Sequence, residues 1–357
     1  MAPDAHRRAR PRSRRRSTGR RALIISLCVL LGLGAVGVGG LWGIQHWLTS
    51  RVEKIDDPFA ALPSRPATSA TAAPADDADA PMNILLLGSD SRISAGDPSQ
   101  WEVGAQRTDT IMLVHLPADG EAAYVMSFPR DSWVDIPGHG EGKINAAFSY
   151  GGPTLMIQTI EQLTNIRIDH FVIADFESFQ QITDAMGGVR ITLDQPLTVD
   201  GTTIPAGKQQ LLTGEQALTW VRERKTLARG DFDRVQRQQA WIRSMVARMR
   251  NEGTLSNPAK SVPFLRSVGD AVATDPGLDD QVMSQLQNMA KNLASTDIAF
   301  FTVPTDGTGR SPDGTQSIVV LNQEALAALM ASVGTDTVDD YLAANADTVD
   351  MLPPVVQ

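Results

Sequence analysis

Arginines and carboxylates collect in this sequence at the ends of short apolar runs, and one stretch holds most of the arginines. Residues 213–239, TGEQALTWVRERKTLARGDFDRVQRQQ, contain Arg222, Arg224, Arg229, Arg234 and Arg237, with Arg243 and Arg248 just beyond. From Asp231 the spacing predicts a long helix whose apolar stripe is Val235, Ile242, Met245, Val246 and Met249. Arg234 and Gln238 fall in phase with that stripe, on the inward face. A buried guanidinium without a partner is very costly, so this face must meet counter-charges or an anion. Arg222 and Arg224 share a face only where the chain is extended, which places them past the end of a helix starting at Thr213. The pattern is that of an arginine nest built for an anion.

Three loops supply the acidic part. Gly88-Ser89-Asp90-Ser91-Arg92 follows a first apolar run, Gln106-Arg107-Thr108-Asp109-Thr110 precedes a second, and Phe128-Pro129-Arg130-Asp131 follows a third. The turn signal Pro117-Ala118-Asp119-Gly120 makes the second and third runs antiparallel neighbours, which brings Arg130 near Asp109. If the first run also opposes the second, Asp90 arrives at the same edge. Two carboxylates among arginines suit a divalent metal bridging protein and phosphate oxygens, magnesium or manganese, with arginines gripping the remaining oxygens. That is phosphoryl-transfer chemistry, although a structural ion-pair network uses the same residue types.

Rival chemistries lack their residues. Gly138-His139-Gly140-Glu141-Gly142-Lys143-Ile144 is one residue short of a phosphate-binding P-loop and lacks its Ser/Thr. No G-x-S-x-G elbow occurs, and His6, His46, His115, His139 and His170 show no metal or triad spacing. His115 and His170 sit in strand-like runs and read as core or rim residues.

These residues need a scaffold. Apolar runs at 82–88, 111–116, 122–128, 170–174, 189–193 and 298–303 are mostly continuous, as expected of strands covered on both faces. Helix-like stretches at 154–164, 176–186, 213–221, 231–251, 281–293 and 322–333 separate or follow them. The expected fold is α/β: a three-layer α/β/α domain with a mixed central sheet, preceded by one transmembrane helix.

Charge places that domain. The first 21 residues carry nine arginines and one aspartate, whereas the whole chain is −9, so the rest of the chain is strongly acidic. Residues 22–44 contain no charge, and 23 residues make about 34 Å of helix, enough to span a bilayer. An arginine-rich tail before such a span stays cytoplasmic and puts the rest outside. The length of both regions favours an uncleaved anchor over a signal peptide. The single cysteine, Cys28, lies within it, so the outer part has no disulfide and no thiolate site. Residues 45–81, rich in Ala, Pro, Ser, Thr and Asp, read as a disordered extracytoplasmic linker. The acidic body argues against nucleic acid as a partner.

The motifs LLLGSDSR, RTDTIML, SFPRDSWVDIP, KINAAFSYGG, MGGV, LTGEQALTWVRER and GDFDRVQRQQ, in this order, resemble the LytR-CpsA-Psr family of bacterial cell-wall glycopolymer ligases. The resemblance covers about 82–335 and leaves 336–357 as a C-terminal tail. It implies an apolar tunnel or groove for a polyprenyl chain with its pyrophosphate at the arginines. The implied activity is a phosphotransferase that moves a glycopolymer from a polyprenyl-pyrophosphate donor onto a peptidoglycan acceptor. By matching motif, Asp90 and Asp109 would be the metal-side carboxylates and, with Arg130, the catalytic residues. Arg92, Arg107, Lys143, Arg222, Arg224, Arg234 and Gln238 would contact the pyrophosphate. Asp233 departs from the family pattern, where glycine is more usual, and would alter the turn before Arg234. Phe148, Leu155, Met156, Ile160, Phe171, Phe176, Phe179 and Ile182 are candidates for the tunnel lining. A polyprenyl-pyrophosphate-binding regulator without turnover and a pyrophosphatase of the same lipids are the competing functions.

Overall fold

Runs of Leu, Ile, Val and Met that are apolar at every position need cover on both faces, and one mixed eight-stranded sheet provides it. A computed structural model describes residues 52–67, 80–89, 108–199, 201–223, 227–254, 257–294 and 296–356. In chain order the strands are β1 (Glu53–Lys54), β2 (Met82–Ser89), β3 (Thr108–Leu116), β4 (Ala123–Ser127), β5 (Trp133–Ile136) and β6 (Gly140–Lys143). Then come helix α1 (Asn145–Thr164), β7 (His170–Asp175), α2 (Phe176–Ala185), β8 (Val189–Leu193), β9 (Leu197–Val199), β10 (Thr202–Ile204) and β11 (Gly207–Leu212). The remainder is α3 (Gly214–Arg222), α4 (Asp231–Asn251), α5 (Pro258–Gly269), β12 (Val272–Thr274), α6 (Asp280–Asn292), β13 (Ile298–Thr302), β14 (Thr305–Arg310), β15 (Ser317–Leu321), α7 (Gln323–Gly334), α8 (Val338–Ala344) and β16 (Asp350–Met351).

The central sheet has the order β1-β12-β7-β2-β3-β4-β13-β16. Strand β3 runs against β4, as the turn at Pro117 predicts, and also against β2, while β2 pairs with β7 and β4 with β13 in parallel. Alternate residues of β2 and β3 point to opposite faces. Leu85, Leu87, Ile111 and Leu113 join Met156, Ile157 and Ile160 of α1 and Leu326 and Leu329 of α7 in the largest core cluster. On the other face Leu86, Met112 and Val114 pack with Val125, Phe300 and Ile242 of α4. Helix α4 is docked by a buried amide: Gln239 Nε2 donates to Ser127 Oγ at 2.8 Å and to the Phe301 carbonyl at 2.9 Å.

Three sequence expectations change here. The run 189–193 is a strand, but it pairs with β11 in a separate two-stranded sheet. Within the stretch expected as linker, residues 52–67 pack on the domain. There β1 pairs with β12, Ile55 is buried in the main core, and Arg65 holds Glu161 at 2.7 Å. Beyond 335 the chain forms α8 and the edge strand β16, and Val356 is buried beside Trp220. Local composition carries no trace of such long-range pairings. Among the described residues no helix is long and apolar enough to cross a membrane; the predicted span 22–44 and the basic tail before it lie outside them.

Candidate functional site

Helix α3 is started by its own sequence. Thr213 and Gln216 form a capping box, each side chain closing on the other's backbone N–H. The helix runs to Arg222, so Arg222 is its last residue and does not lie past its end as the sequence suggested, while Arg224 is outside the described residues. Gly230, at φ 58° and ψ −111°, then reverses the chain into α4, a backbone region that only glycine enters cheaply. Asp233 closes this turn. Its carboxylate accepts from the Arg229 N–H at 2.8 Å and from Arg229 Nε at 2.7 Å, so its departure from glycine adds a lock on the turn.

The turn aims Arg234 at the edge of the sheet. Its guanidinium is 4% exposed, with Nη1 3.6 Å from Asp109 Oδ1 and Nη2 2.5 Å from Asp231 Oδ1. Arg130, reached from the end of β4, places Nη1 2.6 Å from the same Asp109 oxygen and Nε 3.6 Å from Asp231. Two guanidiniums are thus shared by two carboxylates. Asp131 borders the cluster, 3.9 Å from Arg130 Nε, and carries Lys143 at 3.1 Å on its outer side. Burial works against the charge of Arg130, but Asp109, Asp131 and Asp231 outweigh it and hold its pKa above the ordinary range. Asp231 is pushed up, first by burial and then by the like charges of Asp131 and Asp109, against the pull of Arg234 and Arg130. A perturbed carboxylate beside a cavity makes this cluster the candidate functional site.

The cavity opens directly off this cluster, with a volume of about 380 Å³, within the range of small-molecule sites. Its charged mouth includes Asp109, Arg130, Arg222 and Arg234, with Gln238 beside them. Leu86, Met112, Phe179, Ile182, Trp241 and Ile242 make it apolar behind. Trp241 stacks on Phe179 with ring centroids 4.0 Å apart, and its indole N–H donates to Thr183 Oγ1 at 3.0 Å. Gln238 Nε2 reaches the Asp109 carbonyl at 3.4 Å, which ties α4 to β3 across the mouth.

Of the predicted site residues, Asp109, Arg130, Arg222, Arg234 and Gln238 meet at this cavity. Lys143 joins the network only through Asp131. Asp90, Arg92, Arg107 and Arg224 lie outside the described residues. Two members of the expected arginine nest face elsewhere. Arg237 is buried against Trp220, donating to its carbonyl at 2.9 Å and lying 5.3 Å from the ring centre. Arg229 pairs with Asp233 and Asp350. Of the proposed lining residues, Phe179 and Ile182 line the cavity. Phe148, Leu155, Met156, Ile160 and Phe171 belong to the main core, and the side chain of Phe176 lies outside the described set. Asp231 is the functional candidate that sequence reasoning missed; its spacing to Arg234, three residues along a helix, was the available signal.

An apolar cavity with a guanidinium–carboxylate mouth thus opens at the ends of central strands of a mixed sheet in an α/β protein. Over residues 49–333 the chain matches the LytR_cpsA_psr family, and it belongs to that family. It is 36% identical over 270 residues to the probable cell wall biosynthesis protein LcpB of Corynebacterium glutamicum, covering 72% of this chain and 61% of that protein. The chain therefore spans about three fifths of that relative's length. It is 33% identical over 249 residues to the polyisoprenyl-teichoic acid–peptidoglycan teichoic acid transferase TagU of Oceanobacillus iheyensis, covering 68% of this chain and 72% of that one. The crystal structure of B. subtilis TagV aligns with a TM-score of 0.60 at 26% identity, over 72% of this chain and 97% of the other.

Proposed function

We propose that this protein is a phosphotransferase that moves a glycopolymer from a polyprenyl-pyrophosphate carrier onto peptidoglycan. The observation that carries the reading is the union of an apolar cavity with a shared guanidinium–carboxylate cluster at its mouth. A prenyl chain gains by burial against Phe179, Trp241 and Ile242, while the phosphates take the place of carboxylates around Arg130 and Arg234. In the reaction a peptidoglycan hydroxyl oxygen bonds to the glycan-side phosphorus. The bridging P–O bond breaks, and polyprenyl phosphate leaves with the electron pair. The hydroxyl proton passes to a carboxylate of the site, for which Asp90 is our first choice. Arg130 stabilises charge that develops on the transferring phosphoryl group.

The donor set also fits a magnesium or manganese ion. Such ions take one or two carboxylates together with substrate phosphates. Asp109 offers a carboxylate at the mouth, and Asp90 follows the end of β2, whose neighbour Ser89 lines the cavity. When bound, the metal would supply charge neutralisation at the phosphate oxygens. The enzyme is placed at the cell membrane, anchored through residues 22–44, with its N-terminus cytoplasmic and its α/β/α layers outside. The charge split of the sequence supports the membrane placement, and the helices on both sheet faces support the three layers.

Full-length protein in detergent, given a lipid-linked glycan and peptidoglycan, tests the reading. Magnesium-dependent release of polyprenyl phosphate together with phosphodiester-linked glycan is expected. Free glycan phosphate alone would assign a pyrophosphatase, and tight donor binding without release would assign a regulator.

A further inference from the structure

On the other side of the α4 N-terminus lies an open groove of about 750 Å³, walled by residues 228–229 and 232, 302–305, 307–308 and 347–350. Hydrogen-bonded chain joins it to the ion cluster. Strand β13 lies beside β4 with Thr302 opposite Ser127, and the Val303 N–H donates to the Ser127 carbonyl, three residues before Arg130. In the β14–β15 hairpin Thr308 pairs with Val319, whose N–H donates to the Asp131 carbonyl at 2.9 Å. Two strand spacings, about 10 Å, therefore separate the Thr308 backbone from that of Asp131. Phe232, in the groove wall, is the next residue after Asp231, whose carboxylate is 3.6 Å from Arg130 Nε.

The groove's chemistry is the reverse of the cavity's. Its one arginine, Arg229, is held by Asp233 at 2.7 Å and Asp350 at 3.3 Å. Asp347 and Asp350 add negative charge, and Thr305, Thr308 and Thr348 add hydroxyl groups. Such a wall repels a pyrophosphate and suits a ligand rich in hydroxyls, which donate to carboxylates and threonines while a sugar's C–H face covers Phe232. In-line phosphoryl transfer needs the attacking oxygen on the side opposite the leaving group. A prenyl chain in the cavity leaves the groove, which shares no wall residue with it, free for an acceptor on another side of the cluster.

We propose that this groove is the acceptor site, and that it holds the uncharged saccharide strand whose hydroxyl enters the cluster past Phe232. The proposal rests on the proposed transfer activity, and its test separates the two. Full-length protein is assayed with a lipid-linked glycan donor and peptidoglycan oligosaccharides whose lactyl carboxyls are capped as amides, so that they carry no charge, as wild type, Phe232→Ala and Thr308→Trp. Both variants should raise the acceptor KM about tenfold or more with the donor KM within about twofold, the signature of lost acceptor binding. An unchanged acceptor KM in both variants, or a donor KM that rises in parallel, would overturn the assignment. A second arm measures oligosaccharide binding without donor by saturation-transfer NMR. Binding to wild type that weakens in Phe232→Ala supports the groove even where no transfer occurs, a result that would sink the transfer reading alone. No binding to wild type, or equal binding to the variant, would overturn the groove.

Discussion

Asp109 and His115 lie on the same strand, six residues apart, and polar or charged side chains surround both. At the His115 end of β3 every group has a complementary neighbour of its own. His115 is fully buried, with Nδ1 2.8 Å from Asn83 Oδ1 and Nε2 3.0 Å from Asp336. Two strands away, on β7, His170 Nδ1 lies 3.2 Å from Asp275, which also accepts from the N–H groups of Phe171 and Leu278. At the Asp109 end, two guanidiniums are shared by two carboxylates with a third acid alongside, and a cavity opens off the cluster. Buried charge by itself thus marks no site. One end distributes charge in closed pairs that hold strands and loops together; the other concentrates it where a ligand can enter.

The comparison breaks first at Arg130. Arg130→Ala removes one electrostatic donor from the transferring phosphoryl group, which commonly costs about 2.7–4 kcal/mol of barrier, or about 10²–10³ in rate. Single-turnover transfer with saturating donor should show this loss while the far-UV spectrum stays that of the folded protein. A variant with wild-type turnover would reduce the site end to another closed ion pair.

At the opposite end the loss should fall on stability. Asp275→Ala strands the Phe171 N–H and leaves His170 without its carboxylate, and breaking one side of a buried pair costs about 3 kcal/mol or more. Denaturant titration should show the loss, with kcat of the folded fraction unchanged. A drop in kcat at constant folded fraction would mean that the two ends are coupled through the sheet.

Gln238→Ala should have a smaller effect. Its bond to the Asp109 carbonyl is long, 3.4 Å, and the side chain is only half-buried. Losing it is worth about 1 kcal/mol, or about fivefold in donor affinity, with transfer slowed in step. Alanine is the better helix former, so α4 should keep its melting behaviour. Unchanged donor affinity and transfer would remove Gln238 from the mouth.

How much of this was legible in the sequence depends on how local the cause is. Strands β2, β3, β4, β7 and β13 announce themselves, because burial on both faces makes their central positions apolar and leaves polar residues mainly at the strand ends. The Pro117 turn then sets the register that brings Arg130 to Asp109. The helix start at Thr213 and the phase of Arg234 were equally local. Strand β1 was not legible, since Glu53 and Lys54 form it only by lying beside β12. The lining was misread for the same reason. Phe148, Leu155, Met156 and Ile160 have the right spacing for an apolar wall, but α1 packs on the sheet face opposite α4, and topology alone decides that. Arg237 has the same residue type and neighbourhood as Arg234, yet Trp220 claims it. Asp231 was read as the start of a helix, a role that concealed its second one.

The weakest and most diagnostic effect is on pH, where the two ends should differ in sign. Burial alone would push Asp275 up, but its bonds from His170 and the Phe171 amide and the charge of Lys54 outweigh it and hold it below the ordinary range. A carboxylate with a depressed folded pKa contributes stability above its unfolded value, about 4, and loses it as pH falls through the folded value. Asp231 is raised by burial and like charges. Its contribution is fully present below about pH 4 and is lost as pH rises through the raised folded value. Asp169, near the His115 end, is also pushed up by burial, so the comparison must use variants instead of the whole protein's acid profile. The melting temperature of wild type minus that of Asp275→Asn should therefore shrink as pH falls below about 4. The same difference for Asp231→Asn should shrink as pH rises above about 4, because the wild-type carboxylate then ionises at the cost of its desolvation. Parallel trends in the two variants would show that Asp231 ionises as easily as Asp275, and that the site end holds its proton no more tightly than the pairs at the other end of the strand.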